Sequence, residues 1–118
     1  NETGRVRVSV GVSYDTDPKR VERLLLKVGK SHAMALKSPE PFVRFQQFGD
    51  SSLDFDLIIY VKDKNYMFQV RSELHYSIFE LFKKEGIEIP FPQRDLNIKG
   101  NSNSNIKKRV SVKKDYTK

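Results

Sequence analysis

The chain has 118 residues, which fit one domain with a modest core, and nothing in it suggests two. It holds no cysteine, which excludes disulfides and thiol catalysis, and its longest apolar run, residues 57–61, is far short of the ~20 residues a membrane-spanning helix needs. The net charge of +7 is lopsided: residues 1–99 carry 16 Lys and Arg against 14 Asp and Glu, and residues 100–118 carry six against one, so the excess belongs to a tail and not to the folded part.

The first residues, Asn1-Glu2-Thr3-Gly4, lack an initiator Met and a signal pattern and read as a cut inside a longer chain. Residues 5–14 then alternate, with Val6, Val8, Val10 and Val12 on one side and Arg5, Arg7, Ser9 and Gly11 on the other, the period of a half-buried strand. Asp15-Thr16-Asp17-Pro18 is turn chemistry, with Asp17 placed to cap a helix and proline at its first position. Val21, Leu24, Leu25, Val28, His32, Ala35 and Leu36 recur at spacings of three and four, which predicts a helix that runs until Ser38-Pro39-Glu40-Pro41 stops it. His32, on the edge of that stripe, reads as a packed or hydrogen-bonded histidine, since no second His or Cys accompanies it.

Phe42 to Phe48 follows as a strand with aromatic residues on both sides, which predicts cover on both faces. After the turn Gly49-Asp50-Ser51-Ser52, residues 53–61 alternate again and should pair antiparallel with the preceding strand as a hairpin. A second helix is expected from about Tyr66 to Glu85, with Met67, Val70, Leu74, Ile78, Leu81 and Phe82 inward and Gly86 in the left-handed position past its end. Pro90 and Pro92 then remove two backbone donors and push Ile89 and Phe91 towards extended geometry, ahead of an alternating Asp95, Leu96, Asn97 and Ile98. The order strand, helix, strand, strand, helix, proline-broken strand is the split βαβ pattern of an α+β ferredoxin-like sandwich, with two helices on one face of a mixed, mostly antiparallel sheet and an extended C-terminal strand.

Chemistry is sparse. His32, His75, the pair Asp15 and Asp17 and the pair Asp54 and Asp56 form no catalytic or metal-ligating spacing; the first pair reads as turn and cap, the second as the solvent face of a strand. No glycine-rich phosphate loop or zinc motif is present. Neither a catalytic site nor a cofactor or metal is therefore expected. Nor is specific nucleic-acid binding, because the aromatic strand holds one arginine and its neighbour carries two aspartates.

Three stretches carry a family resemblance. Gly86-Ile87-Glu88-Ile89-Pro90-Phe91-Pro92-Gln93-Arg94-Asp95-Leu96-Asn97-Ile98 resembles the C-terminal signature of the small-conductance mechanosensitive channels, the MscS family. Val10-Gly11-Val12-Ser13-Tyr14-Asp15-Thr16-Asp17 resembles its first strand and helix start, and Phe48-Gly49-Asp50-Ser51-Ser52-Leu53 its Gly-x-Ser-Ser turn. The resemblance implies a cytoplasmic vestibule domain of a channel subunit in the cell inner membrane, joined to the membrane through a missing N-terminal part. It also implies identical subunits as partners, seven in the family, assembling around a small parallel barrel. By it, residues 1–92 are the ferredoxin-like domain and residues 93–99 the barrel strand, with Pro90, Pro92, Gln93, Asp95, Leu96, Asn97 and Ile98 serving assembly. Residues 100–118 are a flexible basic tail, solvated or in contact with anionic lipid head groups or nucleic acid. The competing reading from another class is a free-standing ferredoxin-like regulatory module that binds a small ligand.

Overall fold

The computed structural model describes residues 2–91. Strand β1 (Gly4–Val12) leads into helix α1 (Pro18–Ser31), strands β2 (Phe42–Phe48) and β3 (Leu53–Val61), a single 3-10 turn (Lys64–Tyr66) and helix α2 (Met67–Glu85). The sheet has the order β1-β3-β2, and both pairings are antiparallel. β1 meets β3 without a break from Gly4 opposite Val61 to Val12 opposite Leu53, while β2 meets β3 through a bulge between Phe45 and Gln47.

The alternation read in β1 decides which face is covered. Val6, Val8 and Val12 are buried against Val21, Leu25 and Val28 of α1 and Val70, Leu74, Ile78 and Phe82 of α2, with Leu57 and Ile59 of β3 between them. Both helices thus pack one face of the sheet, as the sandwich pattern requires. No helix among the described residues is long and apolar enough to cross a membrane.

The caps follow local chemistry. Asp17 accepts from the Lys19 N–H at 3.1 Å with Pro18 in the first turn. α2 ends on Gly86 at φ 74°, with the Gly86 N–H donating to the Lys83 carbonyl at 3.3 Å and the Ile87 N–H to the Phe82 carbonyl at 2.8 Å. That bond pair is a Schellman closure, and Ile87, itself buried, supplies its hydrophobic contact.

Three expectations are corrected. α1 stops at Ser31 instead of reaching Leu36, because the following residues are claimed by the sheet: Ala35 bridges Val61, and the Leu36 N–H donates to the Tyr60 carbonyl at 2.7 Å. His32 closes the helix by accepting the Met34 N–H on Nδ1 at 3.0 Å. β2 is not covered on both faces. It lies at the sheet's edge with Phe45 and Phe48 exposed, so its aromatic content records a rim and not a central strand. Finally, the Asp54 and Asp56 face is not simply solvent: Asp56 is only 5% exposed and Asp54 half-buried.

Candidate functional site

Asp56 shows what the outer face of the sheet is built for. The Ser9 hydroxyl of β1 donates to its Oδ1 at 2.7 Å and the Gln46 amide of β2 to its Oδ2 at 2.6 Å, so one carboxylate on the central strand ties both edge strands to it. Burial pushes its carboxyl up. The two hydrogen bonds and the fields of Arg7 and Arg5 outweigh that and hold it below the ordinary carboxylate range. A depressed folded value means stability present above the unfolded pKa of about 3.9 and lost as the pH falls through the folded one. Asp56→Ala is therefore expected to cost about 2 kcal/mol at neutral pH and to flatten the acid limb of a melting-temperature profile below about pH 4. An unchanged acid limb would show that Asp56 carries none of this linkage.

The stretches singled out in the sequence meet at one corner, where the chain leaves α2. Tyr14 donates its hydroxyl to the Gly49 carbonyl, joining the end of β1 to the β2–β3 turn. Within that turn the Gly49 N–H donates to the Ser52 carbonyl at 2.6 Å and the Ser52 hydroxyl to Asp54 Oδ1 at 2.6 Å. A Cβ on Gly49 would stand 2.6 Å from Asp54 Oδ2 and 3.0 Å from the Ser52 carbonyl oxygen, so any larger residue must displace the Asp54 carboxylate from this close approach. The Ser13 N–H donates to the Glu88 carbonyl at 3.0 Å, which pins the first residues beyond α2 to the end of β1. Arg20 of α1 clasps the same corner, its guanidinium 2.9 Å from both the backbone and the carboxylate oxygen of Glu85. Sequence spacing alone could not place these contacts, because their partners lie up to 75 residues apart, from Ser13 to Glu88.

Beyond that pin, Pro90 and Phe91 carry no helix or strand, and Phe91 is 84% exposed. Of the residues read as assembly positions, Pro90 lies at this exit. Pro92, Gln93, Asp95, Leu96, Asn97 and Ile98 fall outside the described residues, as does the basic tail. The corner is thus a rigid mount for whatever follows.

The histidines are structural. His32 donates from Nε2 to Glu73 at 2.7 Å, and Gln69 also donates to Glu73, at 3.1 Å; the Gln69 bond first and the His32 bond second lower the Glu73 pKa. His75 donates from Nδ1 to the Arg71 carbonyl at 2.9 Å. Among the described residues, no three His, Cys, Asp or Glu side chains converge as a metal site would require.

What sequence reading missed is an apolar groove of about 760 Å³ between β1 and α2. Phe68, Tyr76 and Phe79 stand exposed along it at 82%, 71% and 60%, with Ile89 at its mouth. The signal was present in α2 as aromatic residues off its inward stripe.

Residues 6–89 match the family described as "Mechanosensitive ion channel MscS, C-terminal". The chain is 36% identical over 114 residues to an uncharacterized MscS family protein of Haemophilus influenzae and 31% identical over 114 residues to the mechanosensitive channel MscK of Escherichia coli. Each alignment covers 97% of this chain and 10% of the relative. The crystal structure of Helicobacter pylori MscS in its closed state superposes with a TM-score of 0.73 at 31% identity, over 86% of this chain and 40% of that one. The chain therefore spans a minor part of the proteins it matches. Its fold, its three motifs and these matches together place it in the MscS family of mechanosensitive ion channels, a family of channels and not of enzymes, and the chain belongs to that family as its C-terminal domain.

Proposed function

We propose that this chain is the cytoplasmic vestibule domain of a mechanosensitive channel subunit, on the inner side of a cell inner membrane that it reaches only through an upstream part. Its own work there is assembly and shaping of the path that solutes take below the pore. Seven identical subunits are the partners, each sending residues 93–99 from the exit corner into a shared parallel barrel. The observation that carries this reading is the mount itself: the stretches matched across residues 6–89 converge where Glu88 is pinned to Ser13, and the chain leaves that point through Pro90 and an exposed Phe91.

A lone arm of residues 93–99 has open hydrogen-bonding edges and one apolar face of two side chains, Leu96 and Ile98, which a neighbouring arm can pair and cover. Rotational symmetry supplies both needs, since each arm pairs with the next and the closed ring leaves no edge. The family assignment disfavours the free-standing ligand-binding module.

The test is electrical. The complete subunit, expressed in cells stripped of their own channels, should give tension-activated currents in excised patches and rescue survival of a hypo-osmotic shock. A complete subunit that lacks apolar segments of ~20 residues upstream, or one that yields no tension-gated current, would sink the proposal. Within this chain, removal of residues 100–118 is expected to shift stability by no more than about 0.5 kcal/mol, since the tail offers hardly any apolar surface. A large fall in the melting temperature on trimming would count against its separation from the domain.

A further inference from the structure

A complete split βαβ sheet has a fourth strand beside β1, and among the described residues that place is empty. Two contacts fix which backbone groups face the gap. Arg71 Nε donates to the Arg7 carbonyl at 3.4 Å from the α2 side, and the Ser13 N–H points to Glu88. Residues of that parity, Arg5, Arg7, Ser9 and Gly11, therefore turn their N–H groups away from β3 and take no backbone partner among the described residues. The groove with Phe68, Tyr76 and Phe79 lies along the same edge. An open edge beside exposed aromatics is the usual mark of a strand-accepting surface.

The chain's own continuation is poorly suited to fill it. Counted antiparallel from the Ser13–Glu88 bond, Pro90 would face Gly11 and Pro92 would face Ser9, and neither has an N–H to donate. The same sheet offers a second open edge of different character at β2, where Phe48 is 75% and Phe45 42% exposed. The charges differ too. The β1 side carries Arg5, Arg7 and Arg71, whereas at β2 and its bounding loops exposed Lys37 and Arg44, the latter 5.2 Å over the Phe42 ring, are balanced by exposed Glu40 and Asp50. Pairing β1 with a second β1 would bring the arginines of both copies to one seam, which like charges resist.

We infer that the β1 edge and its α2 groove accept the β2 edge of a second copy of this chain, with Phe48 of one copy entering the aromatic groove of the next. Two unlike surfaces joined head to tail generate a ring when the rotation closes. The inference rests on the assembly reading above and names a surface for it that is separate from the arm.

Amide hydrogen exchange on the whole chain tests it. Raising the protein from micromolar to millimolar concentration should slow exchange at Arg5, Arg7, Ser9 and Gly11 by about tenfold or more, while amides already bonded to β3 are unchanged. Phe48→Glu, a change at an exposed position, should abolish that protection, and Leu96→Asp should leave it intact. Protection that survives Phe48→Glu but vanishes in Leu96→Asp would overturn the inference while leaving arm-driven assembly standing. No concentration-dependent protection at these amides, or protection in a Phe48→Glu chain, overturns it as well.

Discussion

Phe82→Ala is expected to lower the stability of the isolated chain by about 3 to 5 kcal/mol, the range for truncating a fully buried phenylalanine. Phe82 is 1% exposed and belongs to the buried cluster that joins both helices to the sheet. It does a second job that most core positions lack. Its carbonyl accepts the Ile87 N–H that closes α2, and Ile87, 5% exposed, is the hydrophobic partner of that closure. Loss of the ring therefore opens a cavity and loosens the residues that lead to Glu88 and the exit. With total stabilities of about 5 to 15 kcal/mol for such domains, the variant sits near its unfolding threshold. At roughly 4 to 8 °C per kcal/mol for a domain of this size, the melting temperature should fall by about 12 to 40 °C. A fall of less than about 5 °C would mean that the cluster repacks around the gap, and that α2 is held by other contacts.

How far the sequence foretold this arrangement depends on the range of the interactions involved. Alternation in β1, the spacing in α2, the Asp17 cap and the Gly86 terminator all concern neighbours within one or two turns, and each matches the structure, whereas β3, central in the sheet, buries Asp56 and Ile58 on the parity expected to face outward. The end of α1 was misjudged because its apolar stripe continues through Ala35 and Leu36. Their backbone is bound to the end of β3 beyond β2, not to a helix, and Ala35 packs on the core from there. The same blindness to partners hid the role of Asp56. A polar residue at an outward strand position reads as solvent-facing unless one knows that Ser9 stands across from it and that Gln46 reaches it from the bulge in β2. Of the candidate site, the individual stretches were legible through family likeness. Their convergence was not, because it depends on contacts between Tyr14 and Gly49 and between Ser13 and Glu88 that no local pattern encodes. The groove was missed for a related reason: an aromatic off the inward stripe of α2 looks like a packing residue until the place beside β1, empty among the described residues, leaves it bare.

Leu96→Asp separates folding from assembly. If the arm serves the oligomer, the complete subunit carrying this change should lose its assembled form, because each ring position would then place a carboxylate where an apolar face meets its neighbour. Two side chains, Leu96 and Ile98, are worth roughly 3 to 6 kcal/mol per arm when fully buried, and a closed ring multiplies that by the number of arms. The isolated chain should respond quite differently. Among the described residues the buried cluster runs from Val6 to Ile87 and the segment ends with Phe91 exposed, so the helices and the sheet are already packed together ahead of the arm. The chain's stability should therefore change by no more than about 0.5 kcal/mol, as for a substitution on an open surface. Sedimentation of the detergent-solubilised subunit and thermal unfolding of the isolated chain, compared in one experiment, decide between the roles. A chain that unfolds with Leu96→Asp while the complete subunit still assembles would make residues 93–99 part of the domain core, and the arm would then be a strand of the fold and not a link between subunits.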